Sequence, residues 1–137
     1  MGLPLAARLD KATTKLVSFT GATNLGAIGT MPLFTVTGRV WIVGLDIYCP
    51  TTLVGPSATL ALGTTNSTSS LIAATTATLI VAGKFWATTT PAQDVAAVLT
   101  SLVSANILFT IGTTNITAGS LEVCAYWHPM SAGGNLQ

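Results

Sequence analysis

Residues 39–49 read RVWIVGLDIYC, and their side chains alternate along the run. At a period of two, Trp41, Val43, Leu45 and Ile47 fall on one face, and Val40, Ile42, Gly44, Asp46 and Tyr48 on the other. β-Branched and aromatic residues at that period predict a half-buried strand. Cys49-Pro50-Thr51-Thr52 should end it, because proline has no N–H for the ladder. Outward from this run, 33–37 (LFTVT) predicts a second strand, with Gly38 as the bulge or turn between them. Residues 58–62 (ATLAL), 71–74, 78–81, 84–87 and 107–111 predict further short strands. Residues 120–127 predict the last, with Leu121, Val123, Ala125 and Trp127 on one face and Glu122, Cys124, Tyr126 and His128 on the other. Residues 94–102 are ambiguous: Val95, Val98, Leu99 and Leu102 recur at helical spacing behind Asp94. Short strands separated by turn signals predict an all-β chain, a single jelly-roll-like antiparallel β-sandwich.

The sandwich should occupy residues 32–137. Residues 1–31 read as an extended N-terminal arm, holding three of the five basic residues and turning Gly-rich at 21–29. Its apolar Leu3, Leu5 and Leu9, with Arg8 and Lys15, are candidate contacts to a partner. GTTNST at 63–68 returns as GTTNIT at 112–117, which reads as a Thr-rich chain reusing one turn rather than as an internal repeat.

Half of the 137 residues are hydrophobic and 7% are charged, against about 25% in an average domain. Thr fills 24 positions and supplies much of the polar surface. A net charge of +1 without a basic cluster argues against nucleic acid, which requires a Lys/Arg footprint. High hydrophobicity argues against disorder, and two cysteines cannot staple a disulfide scaffold. Mean hydropathy of +0.67 raises the question of a membrane. The best candidate span, 95–111, is 17 residues long, carries Ser, Thr and Asn, and lacks flanking Lys or Arg. No membrane span is expected. Arg8, Lys11 and Lys15 lead into KLVSF alone, too short for the core of a signal peptide. Synthesis in the cytosol with Cys49 and Cys124 reduced is the expectation.

Catalytic chemistry has little to stand on. His128 is the single histidine, lying between Trp127 and Pro129 where a structural role is the default. The four acids are dispersed, no zinc spacing exists, and no phosphate-binding glycine loop follows a strand. Asn66-Ser67-Thr68 and Asn115-Ile116-Thr117 match the glycosylation pattern, as chance allows in so Ser/Thr-rich a chain. Neither an enzyme, a cofactor, a metal nor a small-molecule substrate is expected.

Such an apolar, charge-poor chain should associate. Apolar residues on both faces of the 39–49 strand call for cover on both sides, and a homo-oligomer, here a cyclic trimer, is the simplest provider. Residues 58–86, ATLALGTTNSTSSLIAATTATLIVAGKFW, and 119–136, GSLEVCAYWHPMSAGGNL, resemble small virion structural proteins of tailed bacteriophages. The shared pattern is a Thr-rich centre with an LIAxTTAT-like segment, then a late strand closing on Trp127, Pro129, Ser131, Gly133 and Gly134. It covers about residues 33–136 and leaves the arm unmatched. The resemblance implies an uncharged β-sandwich or jelly roll on the capsid surface of a virion. There it would be a decoration or cement protein clamping major-capsid subunits. The alternative is a tail-tip or fibre module that recognises a host through Trp86, Tyr126 and Trp127. A small membrane protein built on 95–111 is the third reading.

Overall fold

The structure, a computed structural model, describes residues 11–93 and 99–137. Its strands are β1 (Lys11–Ser18), β2 (Gly29–Phe34), β3 (Val36–Thr37), β4 (Val40–Val54), β5 (Thr59–Thr64), β6 (Ser67–Thr76), β7 (Ser101–Val103), β8 (Ile107–Gly112), β9 (Ala118–Pro129) and β10 (Asn135–Leu136). Eight of them form two four-stranded antiparallel sheets, ordered β1-β9-β4-β7 and β2-β8-β5-β6, while β3 pairs with β10.

Four of the pairings are nested: β5 with β6, β4 with β7, β2 with β8, and β1 with β9. The chain is therefore one long hairpin, turned at 65–66. Its arms roll so that β9 also pairs with β4 and β8 with β5. Inward-facing residues of both sheets share one hydrophobic cluster. Phe109 of β8 lies at its centre, its ring 6.3 Å from Phe19 and 6.1 Å from Trp86. The buried indole N–H of Trp86 donates to Thr75 Oγ1 at 2.9 Å, so one interior polar group satisfies the other.

The all-β antiparallel expectation holds, with local corrections. Residues 11–31 are not an arm. All of β1 pairs with β9, Val17 and Phe19 are buried, and β2 is a strand of the second sheet. Residues 1–10, with Leu3, Leu5, Arg8 and Leu9, lie outside the described residues. β4 runs through Pro50 to Val54, because the register shifts between Tyr48 and Thr51 and the proline falls where the ladder is already interrupted. A second shift, between Ile42 and Gly44, swaps its faces. Val40, Ile42, Leu45, Ile47 and Cys49 are buried, while Trp41, Val43, Asp46 and Tyr48 are only half-buried. A bulge has this effect: one extra residue moves every later side chain to the other face.

Residues 77–79 form a 3-10 turn where a strand was expected. Residues 80–86 then return along β4, with hydrogen bonds from Leu53 N to Ile80 O, Cys49 N to Lys84 O and Trp86 N to Ile47 O. Of the ambiguous stretch, 94–98 lies outside the described residues and 101–102 belong to β7. Among the described residues no helix is long and apolar enough to cross a membrane.

Candidate interaction surface

A sheet edge offers unpaired backbone groups to any passing strand. All four edges here are obstructed. β2 carries Pro32 and a register shift after it, β6 shifts register twice against β5, and β7 has three residues. On β1 the obstruction is charge turned inward. Lys15 Nζ donates to Leu33 O and sits 5.3 Å from the centroid of the Phe34 ring, and Lys11 Nζ sits 5.3 Å from that of Trp127. Between them Thr13 Oγ1 accepts from Trp127 Nε1 at 2.9 Å and donates to Leu136 O at 3.3 Å. Association through an added strand is thus hindered at every edge, which leaves faces and ends.

The outward face of the β1-β9-β4-β7 sheet is apolar and aromatic. Leu16 on β1 is 65% exposed and Leu102 on β7 is 51% exposed, with Tyr126 exposed between them. Register places Leu102 beside Trp41, and Tyr48 packs on Phe85 at a ring distance of 5.2 Å. Asp46 and Glu122 are the charges of this face. Cys124, half-buried, accepts from Thr14 Oγ1 at 3.5 Å. The Tyr126 phenol is pushed above its ordinary range, first by its hydrogen bond to Cys124, then by charge at Cys124, burial and Asp46. The outward positions of the other sheet include exposed Thr30, half-buried Leu108 and Thr110, and buried Ala61.

Of the residues singled out by sequence, Tyr126 is on this face. Trp86 and Trp127 are interior, 0% and 3% exposed, so they cannot form a ligand platform. Large aromatic surface is worth more inside than out, and each indole N–H has its own threonine acceptor. Lys15 is committed to Leu33 and Phe34. Sequence reading missed Leu16 and Leu102, which occur singly, and put Trp41 on one face with Leu45 and Ile47 because the bulge leaves no compositional mark.

One end of the sandwich gathers the connections 19–28, 55–58 and 113–117, with the 77–79 turn beside them. Asn115 ties them together: its Oδ1 accepts from Ile28 N at 3.0 Å and its Nδ2 donates to Gly21 O at 3.4 Å. Ile116 N donates to Gly26 O, Thr117 N to Val54 O, and Thr114 Oγ1 to Pro56 O. Asn24, Ser57 and Thr113, the three described non-glycine residues with positive φ, all lie in these connections. Among the described residues no group of His, Cys, Asp and Glu could hold a metal. Cys49 and Cys124 are both free thiols. The chain matches no protein-family model, and no curated protein or solved structure matches it.

Proposed function

We propose that this chain is a structural virion protein, a jelly-roll decoration or cement protein that binds the major-capsid lattice by non-covalent contacts and works as a homo-oligomer, a trimer. The observation that carries the reading is the outward face of the β1-β9-β4-β7 sheet. There Leu16, Trp41, Leu102 and Tyr126 stand toward solvent on a domain whose edges are obstructed. An exposed apolar patch of this kind marks a protein contact. Two further observations support it. The nested hairpin pairing, with sheet orders β1-β9-β4-β7 and β2-β8-β5-β6, suits a jelly roll, an architecture found among viral capsid domains. The charge deficit suits a mechanism of repeated weak contacts, in which many copies on a regular lattice gain avidity without a strong single site.

The tail-module reading loses its groove, since Trp86 and Trp127 are interior. The test mixes the purified chain with shells of its own virus stripped of this protein, and measures co-sedimentation. Wild type should saturate the shells, and Leu16→Asp and Leu102→Asp should bind at least about tenfold more weakly, since a charge would be desolvated in the contact. Wild-type chain left in the supernatant would overturn the proposal.

A further inference from the structure

We infer that β1 is exchanged between copies of this chain: in the oligomer each copy's β1 lies along β9 of its neighbour and completes that neighbour's β1-β9-β4-β7 sheet. β1 is weakly committed to its own domain. In the sheet it pairs with β9 alone, and of its inward residues Lys11, Thr13, Lys15 and Val17 only Val17 is buried. β2, an edge of the other sheet, buries Met31, Leu33 and Phe34. Detaching β1 with Phe19 behind it therefore uncovers little apolar surface, and segments with few buried apolar contacts are the first to open.

The connection that follows β1 is built to open. Residues 20–25 fold back on themselves: Thr20 N and Gly21 N both donate to Leu25 O, and Leu25 N donates to Ala22 O. Asn24 in this loop holds left-handed backbone at φ 60°, and a short hinge under strain invites exchange. Beyond it, Ile116 N on Gly26 O and Asn115 Oδ1 on Ile28 N fix the chain to its own domain. Opening gives up the local bonds and the long 3.4 Å bond from Asn115 Nδ2 to Gly21 O. Six extended residues then reach about 20 Å, twice the roughly 10 Å between packed sheets. β1 can cross to a neighbour while β2 stays in place.

The occupant follows from the fit beside β9. That place takes a threonine hydroxyl between Trp127 Nε1 and Leu136 O, a lysine on Leu33 O against the Phe34 ring, and an aromatic ring against Phe109. KATTKLVSF at 11–19 supplies all three, and a second copy brings the same residues in the same register. Exchange thus keeps every contact and needs neither a new complementary surface nor a charged partner. It also adds no strand, so the obstructed edges do not oppose it. Passed head to tail, the exchange closes into a ring, as a trimer requires. It deepens the decoration reading, because the proposed shell contact becomes composite: Leu16 from one copy joins Trp41, Leu102 and Tyr126 of the next.

Thr14→Cys in the full chain tests the exchange, since Thr14 and Cys124 are register partners. Concentrated chain, oxidised in air and then denatured, should run in non-reducing electrophoresis as covalent oligomers, with the single-chain band largely lost and restored by reductant. A peptide map should place the link at Cys124, and adding Cys124→Ser should abolish it. Single chains that carry the link internally overturn the exchange. So do oligomers that survive Cys124→Ser, a variant that forms no link, or a wild type that light scattering finds monomeric at high concentration. Should Thr14→Cys fail to fold, Ser18→Cys with Ser120→Cys reads the same pairing. An internal link in chains that still coat shells removes the exchange and leaves decoration standing. Covalent oligomers that never bind shells keep the exchange and remove decoration.

Discussion

The two ends of the sandwich solve the same problem with different residues. Each is knit by one asparagine. At the end described above Asn115 joins Ile28 N to Gly21 O; at the opposite end Asn106 Oδ1 accepts from Val36 N at 2.9 Å and its backbone carbonyl from Thr65 N at 3.1 Å. The difference lies in backbone and charge. The second end turns on Gly38 and Gly133, which adopt positive φ freely, and it bears Arg39. The first end places Asn24, Ser57 and Thr113 in that conformation beside Gly21 and Gly26, and bears no charge. Glycine closes tight turns at both ends, and the first end adds three non-glycine residues whose strained backbone its surroundings must hold.

Phe109→Ala should break both ends together. It empties the space between Phe19 and Trp86 and should cost about 3–5 kcal/mol in denaturant unfolding. Thr14→Cys should act on the strand that leads into the first end. Thr14 and Cys124 are register partners, and a disulfide between them should form in air and stabilise by about 2–4 kcal/mol. A non-reducing peptide map lacking that link would remove the β1–β9 pairing. Gly26→Ala should cost about 1–3 kcal/mol, because a Cβ there falls 2.1 Å from Ile116 O at a φ of +111°.

Asn115→Ala and Asn106→Ala sharpen the contrast locally, each costing about 1 kcal/mol. Hydrogen exchange should speed up at Ile28 in the first and at Val36 in the second, and not the reverse. The smallest effect concerns Cys49, midway along β4, whose thiol burial pushes up from 9.0 against backbone hydrogen bonds at Thr51 and Leu53. Above pH 9 the unfolded thiol ionises before the folded one. Stability should therefore fall as pH rises past that value, and Cys49→Ala should flatten the fall. Equal alkaline slopes in a urea titration would contradict it.

Much of the fold is legible in the sequence, because β8 and β9, and β4 on either side of its bulge, carry their cores at a period of two. β1 is not, since its inward positions are Lys11, Thr13, Lys15 and Val17, and the partners that make sense of them are remote: Leu33, Trp127 and Leu136. A strand stabilised by lysine over aromatic rings reads, alone, as a solvated arm. The hexapeptides GTTNST and GTTNIT teach the converse. Near-identical residues form the β5–β6 turn at one end and the β8–β9 connection at the other, because pairing partners decide the conformation. The exposed apolar residues were hidden for a third reason. Leu16 and Leu102 are isolated in sequence and fall on one sheet face only when the hairpin rolls.

Association without charge is the central claim, and co-sedimentation with stripped shells across a salt series tests it most directly. Apolar contacts should be retained, or strengthened, from 50 mM to 1 M salt, where screening lengths shrink from about 14 Å to about 3 Å. Release of the chain from the shells as salt rises would show that its few charges hold it there, and would contradict the account.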